Sequence, residues 1–479
     1  MDLIVILLAL GLLMFVAYRG FSVILFAPLC ALFAVLLTQP GYVLPFFSGV
    51  FMVKMVGFIQ SYFPVFLLGA IFGKVVEMSG LAESIAKTIV KAIGAKRAVL
   101  AIVLLGAILT YSGVSLFVVV FAVYPFAAHL FREANIPKRL IPGTIALGAF
   151  TFTMDALPGT PQIQNVIPIA FFKTDIYAAP VLGILGGAFV FLIGYLYLES
   201  RRKKAEKAGE GYFGFGTETA AAADGQAALQ KGESVPDFST QQSLGKQIMA
   251  FVPLILVGVM NKVFVTYIPK WYPNGFDFSA IGLKTYAVDV PAVAAIWAVE
   301  LALVVGIFAT MAYDWKRVKA NFKEGLNLSI GGALLATMNT GSEYGFGGVI
   351  ASLPGFKTVS DGISGTFSDP LVNGAVTTTT LAGITGSASG GMGIALSAMS
   401  EKYNQAIQAA NIPPEVMHRV ISMASGGMDS LPHNGAVITL LAVTGLTHRQ
   451  SYKDIFAITV IKTVSVFFII ALYSLFGIV

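Results

Sequence analysis

One cysteine, Cys30, stands alone in 479 residues. A single thiol excludes a disulfide frame and a thiolate metal site. Charge is scarce as well. Asp, Glu, Lys and Arg together make up 12% of the chain, against about 25% in a soluble domain. The four histidines show no zinc-type spacing. No glycine run follows a strand pattern and closes with Gly-Lys-Ser/Thr, which argues against an ATP-driven pump. "SGVS" at 112–115 has no strand–helix elbow and no nearby His/Asp pair, which argues against an intramembrane enzyme.

What remains is apolar. The chain is 56% hydrophobic, with a mean hydropathy of +0.79. A bilayer crossing needs about 20 such residues. Runs of that kind fall at 2–18, 21–38, 56–78, 140–172, 178–198, 247–268, 291–313, 325–343, 415–446 and 455–478. This is the pattern of a polytopic, all-α membrane protein whose solvent is the lipid bilayer. Soluble nucleic-acid binding does not fit it, despite the net charge of +6. Residues 2–18 have no basic segment before them and read as a retained helix.

Two further stretches, 98–131 and 376–400, are broken by "TYSGVS" (110–115) and "TGSASGG" (385–391). Each arm is short for a crossing, so both read as re-entrant hairpins. The positive-inside rule agrees. With the N-terminus outside, one set of loops collects Arg19, Lys87, Lys91, Lys96, Arg97, Arg132, Lys138, Arg139, Arg201, Arg202, Lys203 and Lys204. It also takes Lys316, Arg317, Lys319, Lys323, Arg449 and Lys453. The opposite loops hold scattered cations: Lys54, Lys173, Lys270, Lys284, Lys357, Lys402 and Arg419. Residues 199–246 are polar, rich in Ala, Gly, Glu and Lys, and read as a flexible cytoplasmic linker. They separate a membrane repeat at 1–198 from a second at 247–479.

The halves share a signature. "REANIPKRLI" (132–141) precedes "MDALPGTPQ" (154–162), and "QAANIPPEVM" (408–417) precedes "MDSLPHNGA" (428–436). Each copy follows a Gly/Ser hairpin and interrupts a long apolar run with an acid and a proline. The spacing predicts broken helices over 140–172 and 415–446. Five crossings per half invert the second repeat relative to the first, an architecture of secondary transporters. Both hairpin tips and both breaks are expected to converge on one central site.

Gly113 permits a tight tip, and Ser112, Ser115, Thr385, Ser387 and Ser389 offer hydroxyls to a substrate. Gln162 and Asn165 after the first break, and Asn434 after the second, suit carboxylate and hydroxyl recognition. Capping of the following half-helix fits them equally. Asp155 and Asp429 are acids at matched mid-membrane positions, suited either to ion coupling or to capping. His433 suits a substrate contact or proton relay, or a bond to a freed carbonyl. Glu300 reads as a buried pair or interface contact, and Glu343 stands beside "YGFGG".

The chain resembles the gluconate permease (GntP) family of the ion transporter superfamily. The resemblance lies in "FLLGAIFGKVVEMSGLAESIAKTI" (66–89), "SGVSLFVVVFAVYPFA" (112–127), "YGFGGVIASLPGF" (344–356) and "GSASGGMGIALSAM" (386–399). It implies H+- or Na+-coupled symport of an organic carboxylate across the bacterial inner membrane, with no cofactor. It also implies a homodimer and an elevator mechanism. The first break reads "LPGTPQIQN", which is closer to the short hydroxy-acid branch, such as 3-hydroxybutyrate, than to the gluconate branch. A citrate-type substrate or an anion channel is the alternative. Both termini are expected outside.

Overall fold

The computed structural model describes residues 2–19, 21–114, 116–215, 243–273, 275–283, 287–356, 362, 366–432 and 434–479. The first half runs α1 (Asp2–Tyr18), α2 (Val23–Thr38), α3 (Met52–Met78), α4 (Leu81–Ile93), α5 (Ala98–Tyr111), α6 (Leu116–Glu133), α7 (Ile141–Ala149), α8 (Ile163–Phe172) and α9 (Pro180–Lys207). The second runs α10 (Val252–Trp271), α11 (Val290–Tyr313), α12 (Phe322–Ser352), α13 (Pro370–Thr385), α14 (Ala388–Ala409), α15 (Pro414–Ser425), α16 (Gly435–Thr444) and α17 (His448–Phe476). Among the described residues the strands are two short antiparallel pairs, Glu210–Gly211 with Gly214–Phe215 and Phe276–Asp277 with Ala287–Val288.

Among the described residues, five helical segments have the length and apolarity to cross a membrane: Pro40–Met78, Pro180–Lys207, Gly245–Trp271, Val290–Tyr313 and His448–Phe476. Leu7, Leu29, Ile184, Leu192, Ile255 and Phe308 stand more than half exposed on α1, α2, α9, α10 and α11. An apolar surface of that extent belongs against lipid. The chain is an all-α, multi-pass membrane protein.

Apart from α4, which has no counterpart among the described residues of the second half, the two halves share one order: two helices, a long third helix, a hairpin, a broken helix and a long last helix. Their packing is also reciprocal. The third helices α3 and α12 pair with each other, as do the last helices α9 and α17. Four other packings are exchanged between halves. α2 packs on α12 and α11 on α3, while α8 packs on α14 and α16 on α6. Such an exchange is what a two-fold relation between repeats produces. Within each half, the first hairpin arm packs on the first half of the broken helix, α5 on α7 and α13 on α15.

The first hairpin arms are 14 and 16 residues long. At 1.5 Å per residue they span about 21 and 24 Å, short of a hydrocarbon core of about 30 Å. The second hairpin is longer than the expected 376–400. Asp369 accepts from the amides of Leu371 and Val372 and starts α13 at Pro370. α14 then continues through a polar turn to Ala409.

Three other expectations change. α9 continues to Lys207, so the linker expected from residue 199 begins as helix. Arg202 pairs there with Glu199 and Glu206, one turn away on either side. Residues 216–242 of that linker lie outside the described residues. The crossing expected at 325–343 extends to Ser352, through the glycines of "YGFGG". Neighbours press on those glycines: a Cβ at Gly345 would lie 3.0 Å from Phe51 O, and one at Gly347 would lie 2.7 Å from Ile394 Cα. Finally, both broken helices unwind before their prolines. α7 stops at Ala149, where Thr151 turns its Oγ1 onto Leu147 O at 2.6 Å. α15 stops at Ser425, ahead of Gly426 and Gly427.

Candidate functional site

The breaks place their acids against a lysine of α17, Asp155 from the one-turn helix Phe152–Asp155 inside the first break and Asp429 from the turn after α15. Lys462 Nζ lies 2.9 Å from Asp155 Oδ2 and 4.0 Å from Asp429 Oδ2. It also donates to Phe150 O at 2.8 Å, one of the carbonyls freed where α7 ends. All three side chains are buried. Asp429 Oδ1 accepts from Ser430 Oγ at 2.8 Å, whereas Asp155 Oδ1 has no hydrogen-bond partner. Gly426 makes this approach possible, because a Cβ there would overlap both Lys462 Nζ and the Asp155 carboxylate.

A second cation holds the first break open. Arg419 of α15 is fully buried. Its Nε and Nη2 donate to Ala178 O, at 3.1 and 2.7 Å. Its Nη1 donates to Asp155 O at 2.8 Å and to Asn165 Oδ1 at 2.9 Å. Ser422, one turn on, donates to Asp155 O and Gln164 O, both at 2.9 Å. Asp155 O at the break is thus taken up by α15 side chains, as is Gln164 O, whose helical donor is missing because Pro168 has no N–H.

Each hairpin tip is latched to the break of its own repeat by an amide side chain at the start of the second half-helix. Gln162 precedes α8 and donates through Nε2 to Thr110 O at 2.7 Å and Val114 O at 3.0 Å. Asn434 precedes α16 and donates through Nδ2 to Gly386 O at 2.7 Å. Asn434 Oδ1 also caps α16 by accepting from Ala436 N and Val437 N. Gly113, at φ +96°, has room for no Cβ, since one would lie 2.8 Å from Pro161 of the break. Tyr111 completes this seam by donating to Pro158 O at 2.8 Å.

Over 480 aligned residues, 100% of both chains, the sequence is 74% identical to the uncharacterized transporter YxjC of Bacillus subtilis (strain 168). The chain belongs to the YxjC transporter family. No family model matches, so the gluconate-permease resemblance rests on its motifs alone. Among solved structures, a similar chain is that in the crystal structure of the Alcanivorax borkumensis YdaH transporter, described as having an unusual topology. The likeness covers 89% of this chain and 88% of that one, at TM-score 0.47 and 12% identity.

In this YxjC-family chain the expected site residues divide. Asp155 and Asp429 come together, and Gln162 and Asn434 hold hairpin tips. Asn165 is fully buried and committed to the protein. Its Nδ2 donates to Thr160 O and Ile176 O while its Oδ1 accepts from Arg419, so it braces the break and offers nothing to a ligand. Ser112 turns back on its own helix, with Oγ on Ile108 O at 2.7 Å. Thr385 Oγ1 bonds Leu381 O and Ser387 O. Ser387 caps α14 by accepting from Gly390 N at 3.1 Å. Ser389 faces α12, 3.2 Å from Thr340 Oγ1. Ser115 and His433 lie outside the described residues.

The sequence reading missed Lys462 and misplaced Arg419 in an outer loop. Lys462 had a visible signal, a lone cation deep inside the run 455–478, which marks function in a membrane helix. Arg419 had a weaker one, a cation two turns before the second M-D-x-L-P copy.

Proposed function

We propose that the protein is a secondary active transporter importing a small organic carboxylate, coupled to H+ or Na+, by elevator-type alternating access. One observation carries this reading: acids from both helix breaks meet a single buried lysine. Intramembrane acid–base clusters of this kind mark ion pathways and proton relays. The second half-helices α8 and α16 both start at the breaks. Their N-termini supply partial positive charge and amide donors suited to a carboxylate. Ser387 and Ser389 add hydroxyls at the second hairpin tip.

The hydroxy-acid branch of the gluconate permease family is the proposed kinship, with 3-hydroxybutyrate or gluconate as substrate. The proposed setting is a homodimer in the bacterial inner membrane with both termini periplasmic. Asp155 and Asp429 are the proposed coupling residues, with Lys462 neutralising part of their charge.

The test is uptake of labelled 3-hydroxybutyrate, gluconate and citrate into proteoliposomes under a proton or a sodium gradient imposed separately. Accumulation of one of them against its own gradient is the expected result. Equilibration without accumulation would make the protein a channel. No uptake of any of the three under either gradient would refute the carboxylate symporter.

A further inference from the structure

We propose that Glu343 is a proton-binding site on α12 whose occupancy controls the docking of the second hairpin. Glu343 faces the first turn of α14. It is 3% exposed, and its Oε2 has no hydrogen-bond partner. The carboxylate lies directly over Gly390, where any Cβ would overlap it. The amide of Gly390 is already bonded to Ser387 Oγ and that of Gly391 to Ser387 O, so neither is left to take the carboxylate.

No cation answers it among the described residues. α2, packed on α12, carries no charged residue. On α3 the nearby cation is Lys54, whose stem lies against Gly348, more than a turn further along α12. On α14 the charged residues Glu401 and Lys402 stand three turns beyond Gly390. The titratable neighbour on α12 itself is Tyr344, which lies against Gly393.

An unpaired carboxylate buried in this way is tolerated as the neutral acid and not as the anion. The dipole of α14 favours the anion, but by far less than desolvation disfavours it. The docked hairpin therefore holds a proton on Glu343. Withdrawal of α14 from α12 lets water reach the carboxylate, which then ionises. The contact between them follows a row along one face of α12 at one-turn intervals, 340, 343 and 347. Thr340 meets Ser389, Glu343 meets Gly390 and Gly347 meets Ile394. Glu343 is the ionisable member of that row. The sign follows from linkage: the docked state binds the proton, so docking is complete at low pH and is lost as pH rises. Beyond the titration point of the undocked carboxyl the ratio of docked to undocked falls by up to about tenfold per pH unit.

The role of this site in transport rests on the elevator reading, but its test needs no substrate, so the two ideas fail separately. Thr340→Cys and Ser389→Cys are introduced together in a Cys30→Ser background, which removes the native thiol. Disulfide formation is followed in membranes from acid to alkaline pH with a fixed oxidant. Thiolate chemistry alone makes cross-linking faster as pH rises. The expected result is the reverse, a several-fold fall. Adding Glu343→Gln should abolish that fall, while Glu343→Asp, which keeps the acid, should retain it. A yield that does not fall with pH when Glu343 is present, or a fall that persists in Glu343→Gln, overturns the proposal.

Discussion

Replacing Lys462 by methionine keeps a long flexible side chain and removes its charge. Two buried carboxylates then lose a shared partner. At the observed 2.9 and 4.0 Å, each contact is worth about 6 and about 4 kcal/mol at an effective dielectric of about 20, before desolvation is subtracted. Phe150 O also loses its donor, which costs about 1–3 kcal/mol for a buried carbonyl left unsatisfied. Measured losses on breaking one partner of a buried pair run to about 3–5 kcal/mol, and that is the expected destabilisation here. The assay is thermal unfolding of the purified protein, read beside uptake in proteoliposomes. Lys462→Met should melt well below the wild type and show no accumulation. Adding Asp155→Asn removes the closer stranded carboxylate and should recover much of the stability. Accumulation should stay lost, because the ionisable pair is gone. A Lys462→Met protein that melts with the wild type and still concentrates substrate would refute both the pairing and its role.

The remaining expectations concern the latches, the glycine beside the ion pair and the acids. Gln162→Ala removes the side-chain donor shared by Thr110 O and Val114 O; Thr110 O keeps the Gly113 amide, so the expected cost is about 1–3 kcal/mol in all. Hydrogen exchange should rise at residues 110–114 and not at the second hairpin; protection unchanged at both tips would show that the latch does nothing. Asn434→Ala should act in reverse, loosening Gly386, and also lose about 1 kcal/mol as the cap of α16. Gly426→Ala drives a methyl group into Lys462 and Asp155 and should abolish uptake; normal uptake would mean that the ion pair can move aside. Asp155→Asn and Asp429→Asn should uncouple or abolish accumulation without loss of expression. Gradient-driven uptake by both would make these acids structural.

Much of the architecture was legible because repeats advertise themselves. A-N-I-P followed by M-D-x-L-P, twice and in order, located both broken helices, and the Gly/Ser clusters located both hairpins. What the sequence hid was mostly tertiary. The prolines suggested where each helix would stop, yet unwinding begins earlier. It starts where Thr151 bonds back to Leu147 and where Gly426 gives way to Lys462. Asn165 looked like a ligand-binding amide in one dimension, and only Arg419, 254 residues away in sequence, shows that its oxygen is already engaged. The expected crossing ended at 343, short of the glycines of "YGFGG", and glycine weakens a helix by about 1 kcal/mol. Close approach of Phe51 and Ile394 is what keeps that helix continuous and explains why side chains are missing there.

The exchange of α2 onto α12 and of α11 onto α3 has a consequence for biosynthesis. When the first half leaves the ribosome, the surface of α3 meant for α11 and the surface of α2 meant for α12 both lack their partners. Neither half can complete its own packing, so each waits for the other before the fold closes. Residues 216–242 form the covalent tether across that wait. A chain cut within them should assemble from two co-expressed fragments, while either fragment made alone should be degraded.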